Sequence, residues 1–415
     1  MNITIKNVEL KKRINMGNEL FETALPILNQ IEKHHFEAYF VGGAVRDYIM
    51  HRTIHDIDIT TSAMPDEIED IFEHTIPIGK EHGTINVVFN NENYEVTTFR
   101  SEGDYLDHRR PSEVNFVRNL YEDVQRRDFT INAIAMDKNY KIFDYFGGQK
   151  DIQSKLIRTV GNPSERFKED ALRIIRGLRF QSQLTFDIHT ETFEAMQLTC
   201  SDVKYLSIER IVVEFKKLIL GSNVKQSYHN LLSLKIFNYI PFFNELDMTC
   251  VYINEPLEFE QWLAILLIKN NNLPSLKQLK ISNKEKSDIH TYIAIIETLP
   301  QITTKDALKL FVYDYSDYYI LKVLNIYSVL QNNQIPTASE LIINSLSIKQ
   351  VVQHLQLHER KEMDVNGKDL LAHFNKNGGP WLKNVLREIE CAIVTDKIKN
   401  NKEEILKWVN ENVKI

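Results

Sequence analysis

Residues 41–61 read VGGAVRDYIMHRTIHDIDITT, and they set a glycine turn, an arginine and two carboxylates within one short supersecondary unit. Phe40 and Val41 close an apolar run. Gly42-Gly43 then let the backbone approach a ligand closely and offer amides to an anion, and Arg46 is placed to clamp that anion. The spacing predicts a short helix over 44–50. Beyond it, Asp56-Ile57-Asp58-Ile59-Thr60 alternates polar and apolar residues, the period of a strand. Side chains at i and i+2 share a strand face, so Asp56 and Asp58 are expected to project together.

Two carboxylates side by side repel unless a cation sits between them. Mg2+ suits such a pair, because it takes hard oxygen ligands and fills the rest of its shell with water and phosphate. The combination of glycine turn, arginine and acid pair reads as the mouth of a nucleotidyl-transfer site. The alternative for the acids alone is an edge strand with two solvated aspartates. Downstream, residues 82–89 and 94–100 predict a hairpin across 90–93. Glu95 on its second strand is the candidate for a third acid at the metal, against the plainer reading of a surface glutamate.

A chain of 415 residues exceeds one ordinary core, and about two to four domains are expected. Hydrophobic content of 43% and charged content of 26% are those of a globular protein. No apolar run is long enough to span a bilayer, and residues 1–16 lack the apolar segment of a signal peptide; a true start at Met16 is compatible with that composition. Cys200, Cys250 and Cys391 are scattered and form no CxxC pair, so neither a zinc site nor a disulfide framework is indicated and a reducing cytoplasm fits. The net charge of −7 argues against a nucleic-acid binder over its whole surface and leaves room for a local basic strip.

Residues 19–35 carry apolar positions at helical spacing around Pro26, 65–72 read as a short helix, and 141–146 as a strand before Gly147-Gly148. Residues 104–114, DYLDHRRPSEV, have loop composition; Arg109 and Arg110 are candidate contacts if the loop crosses the site, and a solvated connector is the alternative. Residues 122–136 predict a helix with Arg126 and Arg127 at its start, where they add to the positive end of the dipole and suit a triphosphate. From residue 162 the pattern turns helical and stays so. Residues 163–180 predict one helix with Ser164 as its cap, on which Arg173, Arg176 and Arg179 fall within an arc of about 120°.

Asp170 precedes Arg173 by three residues. An intrahelical ion pair is one reading. The chemical reading is sharper, because a carboxylate only accepts hydrogen bonds and a guanidinium only donates them. Cytosine and adenine present an amine donor beside a ring-nitrogen acceptor, whereas guanine and uracil present the reverse. An Asp170/Arg173 pair in the plane of a base would admit C and A and refuse G and U. Further on, 207–218 predicts an amphipathic helix with Glu209 and Glu214 as structural acids. Helices follow over 257–269, 284–298, 316–330, 340–357, 382–395 and 403–413, with no fixed-period repeat. Tyr313, Tyr315, Tyr318 and Tyr319 could stack on RNA or simply pack.

These residues together resemble the class II tRNA nucleotidyltransferases of the polymerase-β superfamily, and more closely the bacterial branch without an HD phosphohydrolase domain. The resemblance is strong over about residues 19–220 and looser beyond. GGAVRD with DID (42–58) is similar to the family's metal motif, RRDFTINA (126–133) to its ribose motif, EDALRIIRGLRF (169–180) to its amino-acid template and DHRRP (107–111) to its flexible loop. The resemblance implies an α+β fold, with a small mixed-sheet head over 19–155 after a polar extension (1–18), a helical neck over 156–225 and a helical body and tail over 226–415.

It further implies that Asp56 and Asp58 ligate Mg2+ with Glu95 in support, and that Gly43 and Arg46 hold the triphosphate. Arg127 would lie near sugar and phosphates, Asp128 at the ribose hydroxyl, and Asp170 and Arg173 at the base. Arg176 and Arg179 would line the nucleotide site, with Asp107, Arg109 and Arg110 on the loop. CTP, ATP and the acceptor arm and T-loop of tRNA are the implied partners; a homodimer is left open. The reaction would add C, C and A to the tRNA 3′ end. Poly(A) polymerases share head and neck, and enzymes adding only CC or only A share nearly everything; the loop sequence and GKEHGTINVVF (79–89) favour full CCA addition. A nucleotidyltransferase for small molecules or proteins, or a silent RNA-binding protein, are the remoter alternatives.

Overall fold

The computed structural model describes residues 19–102, 114–271, 274–339 and 342–413; the predicted loop contacts Asp107, Arg109 and Arg110, and the extension 1–18, lie outside them. The chain divides into two compact units, one ending at Glu245 and the other beginning at Leu246.

The first unit opens with helix α1 (19–33), whose Phe21, Ala24, Ile27, Leu28 and Ile31 are all buried, the stripe that helical spacing predicts. It packs on a seven-stranded mixed sheet in the order β3-β4-β5-β2-β1-β8-β9. The strands are β1 (Ala38–Val41), β2 (Asp58–Thr61), β3 (Thr75–Ile76), β4 (Thr84–Phe89), β5 (Glu92–Thr98), β8 (Ile134–Met136) and β9 (Ile142–Asp144). Helix α2 (Gly43–Ile49) links β1 to β2, and α3 (Pro65–Ile71) follows. β2 runs antiparallel to β1 and parallel to β5, so Asp58 lies in register with Val41 on one side and Glu95 on the other. The predicted hairpin is β4–β5; its turn is Asn90-Asn91, both at positive φ (52° and 64°), the geometry that a two-residue type I′ connection demands and asparagine tolerates. A short pair, β6 (Arg100–Glu102) with β7 (Val114–Phe116), flanks the sheet.

Two sequence expectations fail here. The helix expected over 122–136 is instead α4 (Leu120–Gln125), a single 3-10 turn at Thr130–Asn132 and strand β8. Residues 133–136 are fully buried, and a short apolar run enclosed on both faces does not reveal by periodicity whether it is strand or helix. Arg126 and Arg127 therefore follow the C-terminal end of α4 rather than opening a helix, which is the favourable end for cations. The helix expected over 163–180 is two, α6 (Pro163–Glu169) and α7 (Leu172–Leu184), reached through α5 (Gly148–Gln153) and β10 (Leu156–Ile157). The chain leaves helical geometry at Asp170 (φ −143°, ψ 104°), and Asp170 Oδ1 accepts the Leu172 amide at 3.0 Å. Asp170 thus acts as a cap to α7, the place where its short acceptor is most useful. Asn162, not Ser164, caps α6, accepting the Ser164 amide.

β11 (Asp187–Ile188), α8 (Thr190–Thr199), α9 (Ile208–Ile219) and α10 (Val224–Ser233) complete this unit. Helix α7 lies against α9, where Ser182 Oγ donates to the Leu218 carbonyl at 2.6 Å. A Cβ on Gly221 would fall 2.0 Å from that Ser182 Oγ, so only glycine lets the end of α9 close on α7.

The second unit is helical: α11 (Phe259–Asn270), α12 (Asn283–Thr298), α13 (Lys305–Leu324), α14 (Tyr327–Asn332), α15 (Ser345–His354), α16 (Gly367–Phe374), α17 (Pro380–Val394) and α18 (Lys402–Asn412). The helix expected over 316–330 is divided: α13 breaks at Ser316 (φ 62°, ψ 144°) and the chain turns again before α14. α16 has no counterpart in the sequence reading. Tyr319 donates to Asp288 Oδ1 at 2.6 Å, Tyr315 lies 3.5 Å from Thr298 Oγ1 and Tyr313 packs on the cluster around Ile389. Tyr318, by contrast, is 55% exposed. No helix among the described residues is long and apolar enough to cross a membrane.

Candidate active site

The glycine turn, the acid strand and the arginine helix meet in one cleft of about 1140 Å3 in the first unit. Gly42 caps α2 with φ 75° and ψ −129°, a conformation essentially reserved for glycine, and its amide donates to the Ile134 carbonyl at 3.2 Å. A Cβ there would lie 3.2 Å from Arg127 Nη1 and 3.9 Å from Asp58 Oδ2, so the turn, the arginine and the carboxylate converge on the same point. Asp58 begins β2 and Asp56 stands just ahead of it; both line the cleft.

Although its surface is partly open, the Asp58 carboxyl is sunk between cleft walls. Burial pushes its pKa above the usual carboxylate range; Arg127 opposes the shift, while the Asp56 and Glu95 carboxylates add to it. The donors gathered here are hard oxygens, which fits a divalent cation such as Mg2+. Among the described residues no three His, Cys, Asp or Glu side chains gather at metal-holding distance. Asp56 and Asp58, both in the cleft lining, are the carboxylates that could hold such an ion, with water and phosphate completing the shell. Glu95 is exposed on β5 and adds negative potential beside Asp58 without standing among the cleft-lining residues.

Arg46 is 8% exposed. Its Nη1 donates to Asn132 Oδ1 at 2.6 Å, and Nε and Nη2 both reach Asp47 at 3.0 Å. Asn132 Nδ2 in turn donates to Asp128 Oδ1 at 3.3 Å. Asp128 is buried and takes Arg176 Nε at 2.7 Å on its other oxygen. Burial alone would raise this carboxyl, but the Arg176 guanidinium overrides it and holds the pKa at about 2. Arg179 Nε lies 2.9 Å from Glu214 Oε2, too oblique for a hydrogen bond. Burial, with Arg176 and Arg46 nearby, brings Arg179 down to about 10 despite Glu214. Arg46, Arg176 and Arg179 all face the ring of Phe180, at 5.4, 5.6 and 4.2 Å from its centroid.

Arg127 is not an unpaired arginine. Its Nη2 donates to Asp123 Oδ2 at 3.3 Å, and Arg126 donates to Asp123 Oδ1 through Nε at 3.1 Å and Nη2 at 2.8 Å. Asp170 and Arg173 both line the cleft but do not form the intrahelical pair. Asp170 Oδ2 accepts from Arg210 Nη2 at 2.7 Å. Arg173 is held by Glu169, by the Arg166 carbonyl at 3.0 Å and by the Arg126 carbonyl at 3.0 Å.

Over residues 38–158 the chain matches the model of the poly A polymerase head domain, over 185–246 that of an RNA and SrmB-binding site of polymerase A, and over 257–409 that of tRNA nucleotidyltransferase domain 2. Along 400 residues it is 60% identical to a CCA-adding enzyme of Staphylococcus epidermidis and 61% identical to that of Staphylococcus haemolyticus, in each case 96% of this chain and 100% of the relative. The chain belongs to the CCA-adding enzyme family. It is an enzyme, a CCA tRNA nucleotidyltransferase. Its fold is similar to the crystal structure of the Bacillus stearothermophilus CCA-adding enzyme in complex with CTP, at 32% identity and a TM-score of 0.81 over 94% of this chain and 97% of that one. A Thermotoga maritima CCA-adding enzyme complexed with tRNA shares the fold at 18% identity, with a TM-score of 0.62 over 95% of both chains.

In this member of the CCA-adding family, several residues that line the cleft or hold its arginines escaped the sequence reading: Asn132 and Arg210 in the lining, Asp123 and Glu169 behind it. Two of them left a signal. Asp123 stands three and four residues before Arg126 and Arg127, and Glu169 stands four before Arg173, the spacings of helical ion pairs. Asn132 and Arg210 have partners, Arg46 and Asp170, set by tertiary contact, which no spacing foretells.

Proposed function

We propose that the cleft adds C, C and A in turn to the 3′ end of tRNA, from CTP and ATP and without a nucleic-acid template. The tRNA 3′-oxygen forms its bond to the α-phosphorus as the bond to pyrophosphate breaks. Asp56 and Asp58 would hold Mg2+, with Glu95 reinforcing the field. When bound, the ions supply Lewis acidity toward the attacking oxygen and neutralise charge on the departing pyrophosphate. The residues of this chain do the positioning: Gly43 and Arg46 at the triphosphate, Arg127 and Asp128 at the sugar, Arg176 and Arg179 along the phosphates.

Base choice falls to Asp170 and Arg173. Asp170 is paired with Arg210, and its carboxylate can only accept hydrogen bonds, while the Arg173 guanidinium can only donate them. Edges with an amine beside a bare ring nitrogen, those of C and A, match this order. The helical remainder over 226–415 would grip the acceptor arm and T-loop, and the loop residues Asp107, Arg109 and Arg110 would contact the site.

The observation that carries this reading is the convergence of Asp56, Asp58, Asp170 and Arg173 on one cleft. The test supplies tRNA lacking its 3′ end, Mg2+ and each labelled nucleotide singly and together. Two C residues from CTP, and one further A once ATP is added, are expected. Long adenosine tails from ATP alone would make the protein a poly(A) polymerase and overturn the proposal.

A further inference from the structure

Asp123 is the most enclosed charged group around the cleft, 0% exposed, and has no part in the scheme above. Its two oxygens accept from four residues and tie three pieces of chain together. Oδ1 accepts from Arg126 and from the Arg100 amide at 3.3 Å; Oδ2 accepts from Arg127 at 3.3 Å and from Thr60 Oγ1 at 3.4 Å. Thr60 is two residues beyond Asp58 on β2.

Both arginines lead onward to the cleft. Arg127, held at Nη2, carries its Nη1 to the edge of the Gly42 turn beside Asp58. Arg126, held by its side chain, presents its main-chain carbonyl to Arg173 Nη2 at 3.0 Å. One buried carboxylate thus touches the acid strand directly at Thr60, reaches the Asp58 side of the cleft through Arg127, and stands two contacts from the base-reading arginine. A group that only neutralised buried arginines would need none of these onward contacts.

We propose that Asp123 is a positioning residue that sets Arg127 against the Asp58 side of the cleft and, through Arg126, sets the carbonyl on which Arg173 rests. The inference depends on the reading of Arg127 and Arg173 as nucleotide contacts. It predicts that geometry at the phosphates and selection at the base are coupled through a residue that touches neither.

The experiment is a double-mutant cycle on the full chain with Asp123→Asn, Arg127→Lys and the double variant, assayed with Mg2+, tRNA lacking its 3′ end and either CTP or UTP, with thermal melting of each protein. Asp123→Asn is expected to lower kcat for CTP by about tenfold to a hundredfold, the scale of an ångström-level misplacement. It should also raise UTP use relative to CTP by about tenfold, and the double variant should be no worse than the poorer single one. Additive losses with an unchanged UTP-to-CTP ratio would mean a structural role only and overturn the proposal. A costly Arg127→Lys beside a neutral Asp123→Asn overturns it while leaving the nucleotide-contact reading intact, whereas an Arg127→Lys that is itself neutral removes that reading and the proposal with it. Should Asp123→Asn melt below the assay temperature, Asp123→Glu keeps the charge and moves it by one methylene. A changed base ratio in that variant at wild-type melting supports the inference, and an unchanged ratio overturns it.

Discussion

Asp170 is paired with Arg210, Oδ2 to Nη2 at 2.7 Å, and not with Arg173 three residues along its own chain. The pairing leaves α7 to present Arg173 separately, with its own anchors in Glu169 and two carbonyls. An acceptor and a donor that neutralised each other would be poor readers of a base. Held apart by different partners, each keeps its character. Arg210→Ala should therefore loosen Asp170 without unfolding the protein, since the pair is partly exposed and such pairs contribute only about 0–1 kcal/mol. The expected result is a KM for CTP and ATP raised by roughly tenfold, by analogy with one charge-assisted hydrogen bond, with melting unchanged; steady-state kinetics and a melting curve check both.

Asp56→Ala and Asp58→Ala should each abolish nucleotide transfer if the acid pair holds the cation as proposed, since both carboxylates line the cleft. Protein–tRNA association, measured by filter binding, should survive. Stripping divalent ions with EDTA should mimic the loss in the unmodified chain, and Mg2+ should restore activity only there. Turnover persisting in either variant would dismiss the metal assignment.

Gly42→Ala places a methyl group 3.2 Å from Arg127 Nη1 on a backbone at φ 75° and ψ −129°. Strain of this kind costs about 1–3 kcal/mol. A lower melting temperature together with a fall in kcat of at least about tenfold is expected, on the scale set by small misplacements in an active site. Gly147→Ala, at a position with nothing within 4 Å of the added Cβ, is the control for backbone strain alone and should lower melting without touching kcat.

Asp128 supplies an acid-sensitive term in stability. Its pKa is about 2 in the folded protein against an ordinary 3.8, so the contribution is fully present above pH 4 and disappears as pH falls from about 4 to about 2. By linkage it amounts to about 2 kcal/mol. Urea unfolding of Asp128→Asn should show that loss at pH 7 and a flatter acid limb than the parent. An unchanged pH profile would mean that Arg176 does not hold Asp128 ionised.

Local pattern made much of the site legible. The alternation around Asp58, the Asn90-Asn91 turn and the arginines spaced by three on α7 each express a period or a turn chemistry that the letters carry. Where reading failed, competing forces were at work. Residues 133–136 are apolar on every side, so burial erased the period that separates strand from helix. At Asp170 the helix ends because the side chain caps the next one, a choice decided by a 3.0 Å contact with Leu172 and by an arginine forty residues away. The pairing of Arg126 and Arg127 with Asp123 was written at helical spacing, but placing those arginines at a helix start concealed it.

Phe180 stands beneath three guanidinium groups, each of which also leans on a carboxylate, Arg46 on Asp47, Arg176 on Asp128 and Arg179 on Glu214. Its ring face tempers their mutual repulsion and leaves them open to further negative charge. A polyanion arriving at this wall is therefore felt by all three at once, and its affinity should fall steeply as ionic strength rises and small anions crowd the same wall. A single aromatic side chain thereby makes occupancy of the cleft collective rather than piecemeal.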